Sequence, residues 1–544
     1  MVLRAVCCAL PFAAALAACG VDEPIADVSA ALDSAHHDHG VHKVKHGIVI
    51  MQENHSFDNY FGALAYAPGS PYHGPRQEHG DRDDRRGRGD GDGDADDRGG
   101  CRADDNDCVD GLSCRVDRAG QFHCSNTNVD DDGSTVHAFH NPVRCVVPDL
   151  DHGWRGTHEQ VNFDHPADTL HHQLMNGFVR ENDIFEQPDG GVETPTDDGT
   201  MGFYNQDELP FYYQLAQHFA INDRYFSSVL GPTFPNRSYL MTATSFGHLT
   251  TQDEFPPPGG YKPVTGTIFD LLEHNGVSWA DYFQDAPQGG SFREFSATAI
   301  DPHFFPLPVF LAQVAGAPGV PPLPAVSFVD PTFGLFDQNA ENDEHPPTDI
   351  QRGQAFVSRV INAVRSGPFW QDSVIFITWD EHGGAYDHVQ PPRAAAPDGI
   401  DPGQCADLSN PPASLAPGGG AECNAPLLGG NSSVVDAGQI CPAFVADPTG
   451  PYPRDCPNFD QLGVRVPFLA ISPFSRRHFV SHTVADHTSI LSFIETAFAP
   501  GKHLTQRDAH ADNLLGLFDF ERAPSLDAVI GTASPPVVDC SPVR

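Results

Sequence analysis

"HGIVIMQENHSFDNYFG", residues 46–62, runs an apolar stretch straight into Glu53, Asn54, His55 and Asp58. A short uninterrupted run of this kind fits a strand buried in a sheet that helices cover. In open α/β sheets the ligand crevice lies at the carboxyl ends of the strands. The polar cluster therefore sits where a site is expected. Two more apolar runs are followed by the same kind of sequence: SVIFITW (373–379) by DEHGGAYDHV (380–389), and VPFLAIS (466–472) by HTVADHTS (482–489). The crevice rule predicts that these three polar clusters meet at one edge of the sheet.

Away from them, apolar runs of strand length alternate with helical patterns, as in a mostly parallel sheet covered by helices. The expected strands are 46–51, 277–283, 325–329, 373–379 and 466–471. The expected helices include 266–274, 349–365 and 486–498; in the last, Ile490, Leu491, Ile494, Ala497 and Phe498 recur at helical spacing. No internal repeat is evident. With 544 residues the chain can hold one large α/β domain with long insertions, and 51 Gly and 49 Pro point to many ordered loops.

The first 18 residues order a basic residue, an apolar stretch and Leu16-Ala17-Ala18 before Cys19, which reads as an export signal. The Leu-Ala-Ala-Cys ending resembles a bacterial lipoprotein box, with Cys19 as the lipidation site; an ordinary secreted protein is the alternative. Residues 19–43 read as a polar tether. Of the 13 Cys, ten lie beyond Cys19, five between 101 and 145 and five between 405 and 540. An even number in an exported chain suggests disulfides, and odd counts in both groups require a bridge between the groups if all pair. The formal charge of −42 argues against nucleic acid or a strongly anionic membrane as partner.

Two segments interrupt the α/β pattern. Residues 76–135 are rich in Asp, Gly and Arg and nearly free of large apolar side chains. Within them Asp90, Asp92, Asp94 and Asp96 alternate with small residues, so their oxygens can converge on a calcium ion; a solvated acidic linker is the other reading. Residues 391–463, dense in Pro, Gly and Cys, form the second insertion. The domain proper is then 44–544.

Glu53, Asn54, Asp380 and Glu381 offer three carboxylates and an amide oxygen, a set suited to a hard divalent cation. Caps and turns use the same residue types after strands. In SSVLGPTFPNRSYLMTATS (227–245), Gly231 and Pro232 impose a turn before Thr233, and a helix is expected from about Asn236. A hydroxyl just before a helix N-terminus suits a phosphorylated intermediate. It equally suits an N-cap, and spacing alone does not rank the two.

Taken in order, ENHSFDNYFG, GPTFPNRSYLMTATS, ENDEHPPTDIQRGQ and TWDEHGGAYDHV resemble the bacterial phosphoesterase family of phosphatidylcholine-type phospholipases C and acid phosphatases, to which plant non-specific phospholipases C are related. The resemblance spans roughly residues 44–500. It implies an alkaline-phosphatase-like α/β/α sandwich and one metal ion (calcium, magnesium, manganese or zinc) bound by Glu53, Asn54, Asp380 and Glu381, with Thr233 as a nucleophile that the ion also touches. His152 in DLDHGW and His345 in DEHPP match the family's phosphate-contacting histidines. His388, His303 and His487 are weaker candidates for an additional site. The resemblance departs at His55, where the family usually carries Arg.

The implied activity is metal-dependent hydrolysis of phosphate esters through a phospho-threonine, with a phospholipase C acting on phosphatidylcholine-like lipids as the leading expectation. A broad-specificity acid phosphatase is the alternative within that chemistry. A calcium-binding surface lipoprotein without catalytic activity is the alternative outside it. TFPNR also resembles a sulfatase motif, but a sulfatase converts Cys or Ser to an aldehyde, which Thr cannot yield.

Overall fold

In the computed structural model, residues 38–75, 100–145, 149–171, 174–186, 197–251, 260–263, 265–397, 399–403, 432–446, 451–526, 530, 531, 533 and 540 are described. The expected signal segment and Cys19 lie outside these residues, as do Asp90, Asp92, Asp94 and Asp96, and Cys405 and Cys423.

Eight strands form the central sheet: β1 (His46–Gln52), β2 (Ala220–Asn222), β3 (Trp279–Phe283), β4 (Phe304–Pro306), β5 (Val326–Val329), β6 (Ser373–Trp379), β7 (Phe468–Ile471) and β8 (Phe479–Ser481). Their order is β4-β3-β5-β1-β6-β7-β2-β8. β7 runs antiparallel to both its neighbours, and every other pairing is parallel. The central strands are buried along almost their whole length, which is why their sequences read as unbroken apolar runs.

Four helices matter most below: α1 (Pro210–His218), α2 (Thr233–Thr242), α3 (Ile350–Ser366) and α4 (His487–Phe498). Side chains alternate across a strand, and β6 shows what covers each face. Phe376 packs edge-on against Phe493 of α4, whereas Trp379, of opposite parity, packs against Tyr212 of α1. Helices therefore cover both sides, giving the α/β/α sandwich with a mostly parallel sheet. α3 starts at an Asp349 cap, whose carboxylate accepts from the Gln351 N–H, and buries Phe356, Val357, Val360, Ile361 and Val364 on one stripe. α4 starts in a capping box of Asp486 and Ser489.

One expectation needs correcting. Because β7 is antiparallel, its carboxyl end lies at the edge opposite those of β1 and β6. The chain returns to their edge along β8, and β8 is what carries His482–Ser489 there.

The tether is anchored at its end. Asp38–Lys43 forms a 3-10 helix, Val41 joins the core, and Lys43 donates to the Phe520 carbonyl. Within the first insertion the described residues form two small hairpins, Cys114–Val116 with Phe122–Cys124 and Thr127–Val129 with Thr135–His137. Their few apolar residues, Leu112 and Cys124, complete a satellite core with Val161, Phe178 and Tyr386 rather than building one alone. In the second insertion, helices Ser432–Ile440 and Pro442–Ala446 bring Ala437, Ile440 and Phe444 into a small core with Trp154 and Tyr239. Disulfides join Cys101–Cys108, Cys114–Cys124, Cys441–Cys456 and Cys145–Cys540. The last is the bridge between the early and late groups that the odd counts required.

Candidate active site

β1 and β6 are neighbours in register, Gln52 beside Trp379, so the residues that follow them emerge side by side. The Asp380 N–H donates to the Gln52 carbonyl at 3.1 Å. The Asn54 N–H donates to Asp380 Oδ1 at 3.3 Å, as does the Glu381 N–H at 2.8 Å. Asn54 adopts φ 63°, a left-handed conformation that Asn tolerates better than most residues. Gly383 is needed for the same packing, because a Cβ there would stand 2.4 Å from the Asn54 carbonyl oxygen. The two strand ends thus close backbone to backbone, with all four side chains buried.

These groups are crowded with negative charge. Arg237 bridges two of them, Nη2 to Glu53 at 2.9 Å and Nε to Asp380 at 3.0 Å. Asp343 approaches from the loop before α3 and takes the Glu53 N–H on its carbonyl at 2.7 Å. Burial raises Asp380 to about 7; Arg237 opposes the rise, and Glu53 and Glu381 add to it. Burial, with Glu53 and Glu341, likewise holds Asp343 well above the ordinary range.

Amid this charge, Glu381 Oε1 and both side-chain atoms of Asn54 are buried without a hydrogen-bond partner. An unmet buried polar group costs about 1–3 kcal/mol, so three together call for a cause. Flipping the Asn54 amide does not remove the problem, since oxygen and nitrogen are both unpartnered. Unpartnered oxygens among repelling carboxylates fit a hard divalent cation, which binds oxygen and offsets the repulsion. The residues present therefore fit the metal implied for them.

Thr233 arrives from the other side. β2 is parallel to β6, so the loop after it reaches the same edge and ends at α2. Pro232 is the cap residue of α2 and Thr233 the first helical residue, so the reading of Thr233 as N-cap does not hold. No side chain caps this helix end. The loop is shaped by Asn236: its Oδ1 accepts from the N–H groups of Ser228 and Val229, and its Nδ2 donates to the carbonyls of Val229, Gly231 and Pro232. Arg237 stands four residues after Thr233, one helical turn on, and so shares its face. Thr233, Glu53, Arg237 and His345 line one cavity of about 910 Å³, most of whose remaining wall is apolar.

His152 and His345 come together, rings 6.0 Å apart and edge-on, with Asp149 between them at 3.9 Å from each. Burial would lower the pKa of His152, but Glu381, Asp149 and Asp151 outweigh it and raise it to about 9. His345 is raised against the same burial by Asp149 and Glu53. The His152 imidazole is therefore largely protonated at neutral pH, and His345 is shifted in the same direction.

The weaker histidine candidates resolve differently. Buried His487 binds the Asp380 carbonyl through Nε2 at 2.7 Å and faces the Tyr225 hydroxyl with Nδ1 at 3.3 Å. Its pKa falls to about 4 on burial, so the ring is neutral at ordinary pH, and with both nitrogens engaged it braces the Asp380 backbone. His388 pairs with Asp58 at 2.6 Å and Asp110 at 3.4 Å in a separate charge cluster. His303 stacks on Trp279 and binds Asp301 at 2.8 Å; it precedes its strand β4, and so lies at the amino edge of the sheet. His55 is bonded to Asn59 and to the Glu344 carbonyl and stacks on Tyr60.

Sequence reasoning assigned no role to Arg237, Asp149, Asp343 or Glu344. Arg237 was accessible through its spacing from Thr233. Glu344 was not: its carboxylate is buried under Tyr60, Tyr212 and the Trp379 indole, three distant donors, and it anchors the loop carrying His345.

Compared with known proteins, residues 44–499 match the model of the phosphoesterase family. Non-specific phospholipase C6 of Arabidopsis thaliana is 28% identical over 398 residues, 72% of this chain and 64% of that protein. Phospholipase C B of Mycobacterium tuberculosis is 28% identical over 534 residues, 92% of this chain and 83% of that protein. The non-hemolytic phospholipase C of Burkholderia pseudomallei is 30% identical over 335 residues, 55% of this chain and 41% of that protein. The chain spans slightly less than two thirds of the length of the plant relatives it matches.

Proposed function

Because the chain belongs to the phosphoesterase family, we propose that it hydrolyses phosphate esters and acts as a phospholipase C on phosphatidylcholine-like lipids. The observation that carries this reading is the convergence of Thr233, Glu53, Arg237 and His345 on one cavity, with Arg237 tying Glu53 to Asp380, the chain neighbours of the unpartnered Asn54 and Glu381.

On this reading Thr233 Oγ1 attacks phosphorus in line. Its hydroxyl proton passes to solvent as its bond to phosphorus forms and the bond to the glycerol oxygen breaks, and His152, cationic at neutral pH, gives its own proton to the departing oxygen and is left neutral. Arg237 and the uncapped first N–H groups of α2 face charge that develops on the phosphoryl oxygens. Water then displaces Thr233 from phosphorus, giving a proton to the now neutral His152 while the Thr233 oxygen regains one from solvent, which releases the phosphorylated headgroup and restores both groups. A divalent cation held by Glu53, Asn54, Asp380 and Glu381 would neutralise phosphoryl charge and favour the Thr233 alkoxide. The oxygen donors suit calcium, magnesium or manganese, and zinc tolerates such a set.

The extent of apolar wall in the cavity favours a lipid over a small monoester, which places acid phosphatase second and an inactive calcium-binding lipoprotein last. The proposal includes export with Cys19 as lipid anchor and a structural calcium site at Asp90–Asp96. Among the described residues no helix is long and apolar enough to cross a membrane.

The test offers para-nitrophenyl phosphorylcholine and para-nitrophenyl phosphate to the wild type and to Thr233→Ala, after chelation and resupply of each metal. Thr233→Ala should lower turnover of the choline diester by about 10³-fold or more, as expected for loss of a nucleophile. Preference for the monoester would move the assignment to phosphatase. Turnover that survives Thr233→Ala would end the phospho-threonine mechanism.

A further inference from the structure

The apolar wall of the cavity continues outward to the surface. Phe336, which lines the cavity, is 81% exposed, the most of any large apolar side chain among the described residues, and its neighbour Leu335 is 50% exposed. Ile300, 56% exposed, pairs in a β-bridge with Phe295 of the same cavity. Exposed apolar groups normally occur scattered and singly; a set at the mouth of one apolar cavity marks an interaction surface.

This rim is held in position from beneath. Asp285 accepts from the Phe333 N–H at 3.2 Å through one carboxylate oxygen and from the Leu335 N–H at 3.1 Å through the other. Between them Gly334 takes φ 72°, which sets the turn. The Phe333 ring packs inward, with the Arg237 guanidinium 5.0 Å from its centroid, while Leu335 and Phe336 face outward. One carboxylate bracket thus fixes an apolar pair outside and a wall of the site inside.

We propose that Leu335 and Phe336, with Ile300 beside them, form an interfacial docking surface that inserts into a zwitterionic phospholipid layer and lets a lipid pass from the layer into the cavity. The inference rests on the phospholipase reading and deepens it. Continuity with the cavity identifies the occupant: an amphipathic diester needs an apolar path for its chains ending at a polar centre, and the wall from Phe336 to Thr233 supplies one. The net charge of −42 identifies the surface, since it repels anionic lipid and leaves apolar insertion as the driving force.

The test uses the full chain carrying Cys19→Ser, so that no N-terminal lipid supplies the binding, and Thr233→Ala, so that vesicles are not consumed. Flotation with phosphatidylcholine vesicles should show binding that salt barely weakens. Adding Leu335→Ser and Phe336→Ser should weaken it about tenfold or more, because both side chains lose their apolar burial. A Phe336→Trp variant, which keeps the apolar surface, should bind as before and shift its emission to the blue on vesicle addition. Equal binding with and without the two Ser substitutions, or no blue shift at Phe336→Trp, would overturn the proposal. A blue shift that appears without vesicles and grows with protein concentration would reassign the surface to a second copy of the chain. If the wild type cleaves no para-nitrophenyl phosphorylcholine while vesicle binding follows the pattern above, the phospholipase reading fails and the membrane surface stands.

Discussion

The stretches after β1 and β6 each feed two buried acidic clusters. Glu53 and Asn54 meet Asp380 and Glu381 at the strand ends; a few residues on, Asp58 meets Asp387 and His388. The second cluster closes on itself. Arg465, fully buried, reaches Asp387 at 2.9 Å and Asp58 at 3.1 Å, and donates to the carbonyls of Asp110 and Asp223. His388 takes the other oxygen of Asp58, and Arg224 holds Asp110 at 2.6 Å. Arg465, Asp58, Asp387 and His388 leave no buried polar atom unpartnered. The first cluster has one guanidinium, Arg237, against Glu53, Asp380 and Asp343, and it leaves the Asn54 amide and Glu381 Oε1 unpartnered. Residue types are nearly the same in the two. The difference is whether the chain partners every buried oxygen itself: where it does, the cluster ties segments together, and where it does not, Glu381 Oε1 and the Asn54 amide stay unpartnered.

That contrast can be broken first at its open end. Glu381→Gln should lower phosphate-ester hydrolysis by about 10³-fold or more if the ion assists in the way proposed. The chelator-stripped variant should melt no lower than the stripped wild type, because one repelling carboxylate is gone. The mirror experiment removes the cation of the closed cluster. Arg465→Met strands Asp58 and Asp387 in the interior and should cost about 3–5 kcal/mol in urea unfolding. A smaller cost would mean that water or His388 compensates.

The smallest effect is a pH dependence. Burial would lower the pKa of His388, but Asp58 and Asp110 raise it to about 10 from an ordinary value near 6.5. A group raised on folding stabilises fully below its unfolded pKa and loses that contribution as pH climbs through the folded one. The stability owed to His388 should therefore be complete at about pH 6 and largely gone by about pH 10. The gap in urea midpoint between wild type and His388→Gln should narrow across that window. A constant gap would show that His388 contributes through packing alone.

What the sequence reveals follows from how local each feature is. β1 and β6 are legible because burial on both faces imposes unbroken apolar runs, and the abrupt polar ends flagged the site. Glu53, Asn54, Asp380 and Glu381 converge because those two strands are adjacent and in register, a single pairing. The direction of β7 is not legible, since VPFLAIS has the same pattern whichever way its neighbours run. β2 and β8 span three residues each, too short for any period. Arg465 was invisible for a different reason: it sits just before a strand, and its partners Asp58, Asp110, Asp223 and Asp387 come from four separate segments. His388 shared a motif with Asp380 and Glu381, yet seven residues of loop carried it to the other cluster.

The most direct measurement counts divalent ions bound by the chelator-stripped protein, by calorimetric titration of the wild type, Glu381→Gln and His388→Gln. The account predicts that Glu381→Gln binds one ion fewer per chain than the wild type, while His388→Gln binds the same number. Equal binding by all three, or loss of the ion in His388→Gln alone, would contradict it.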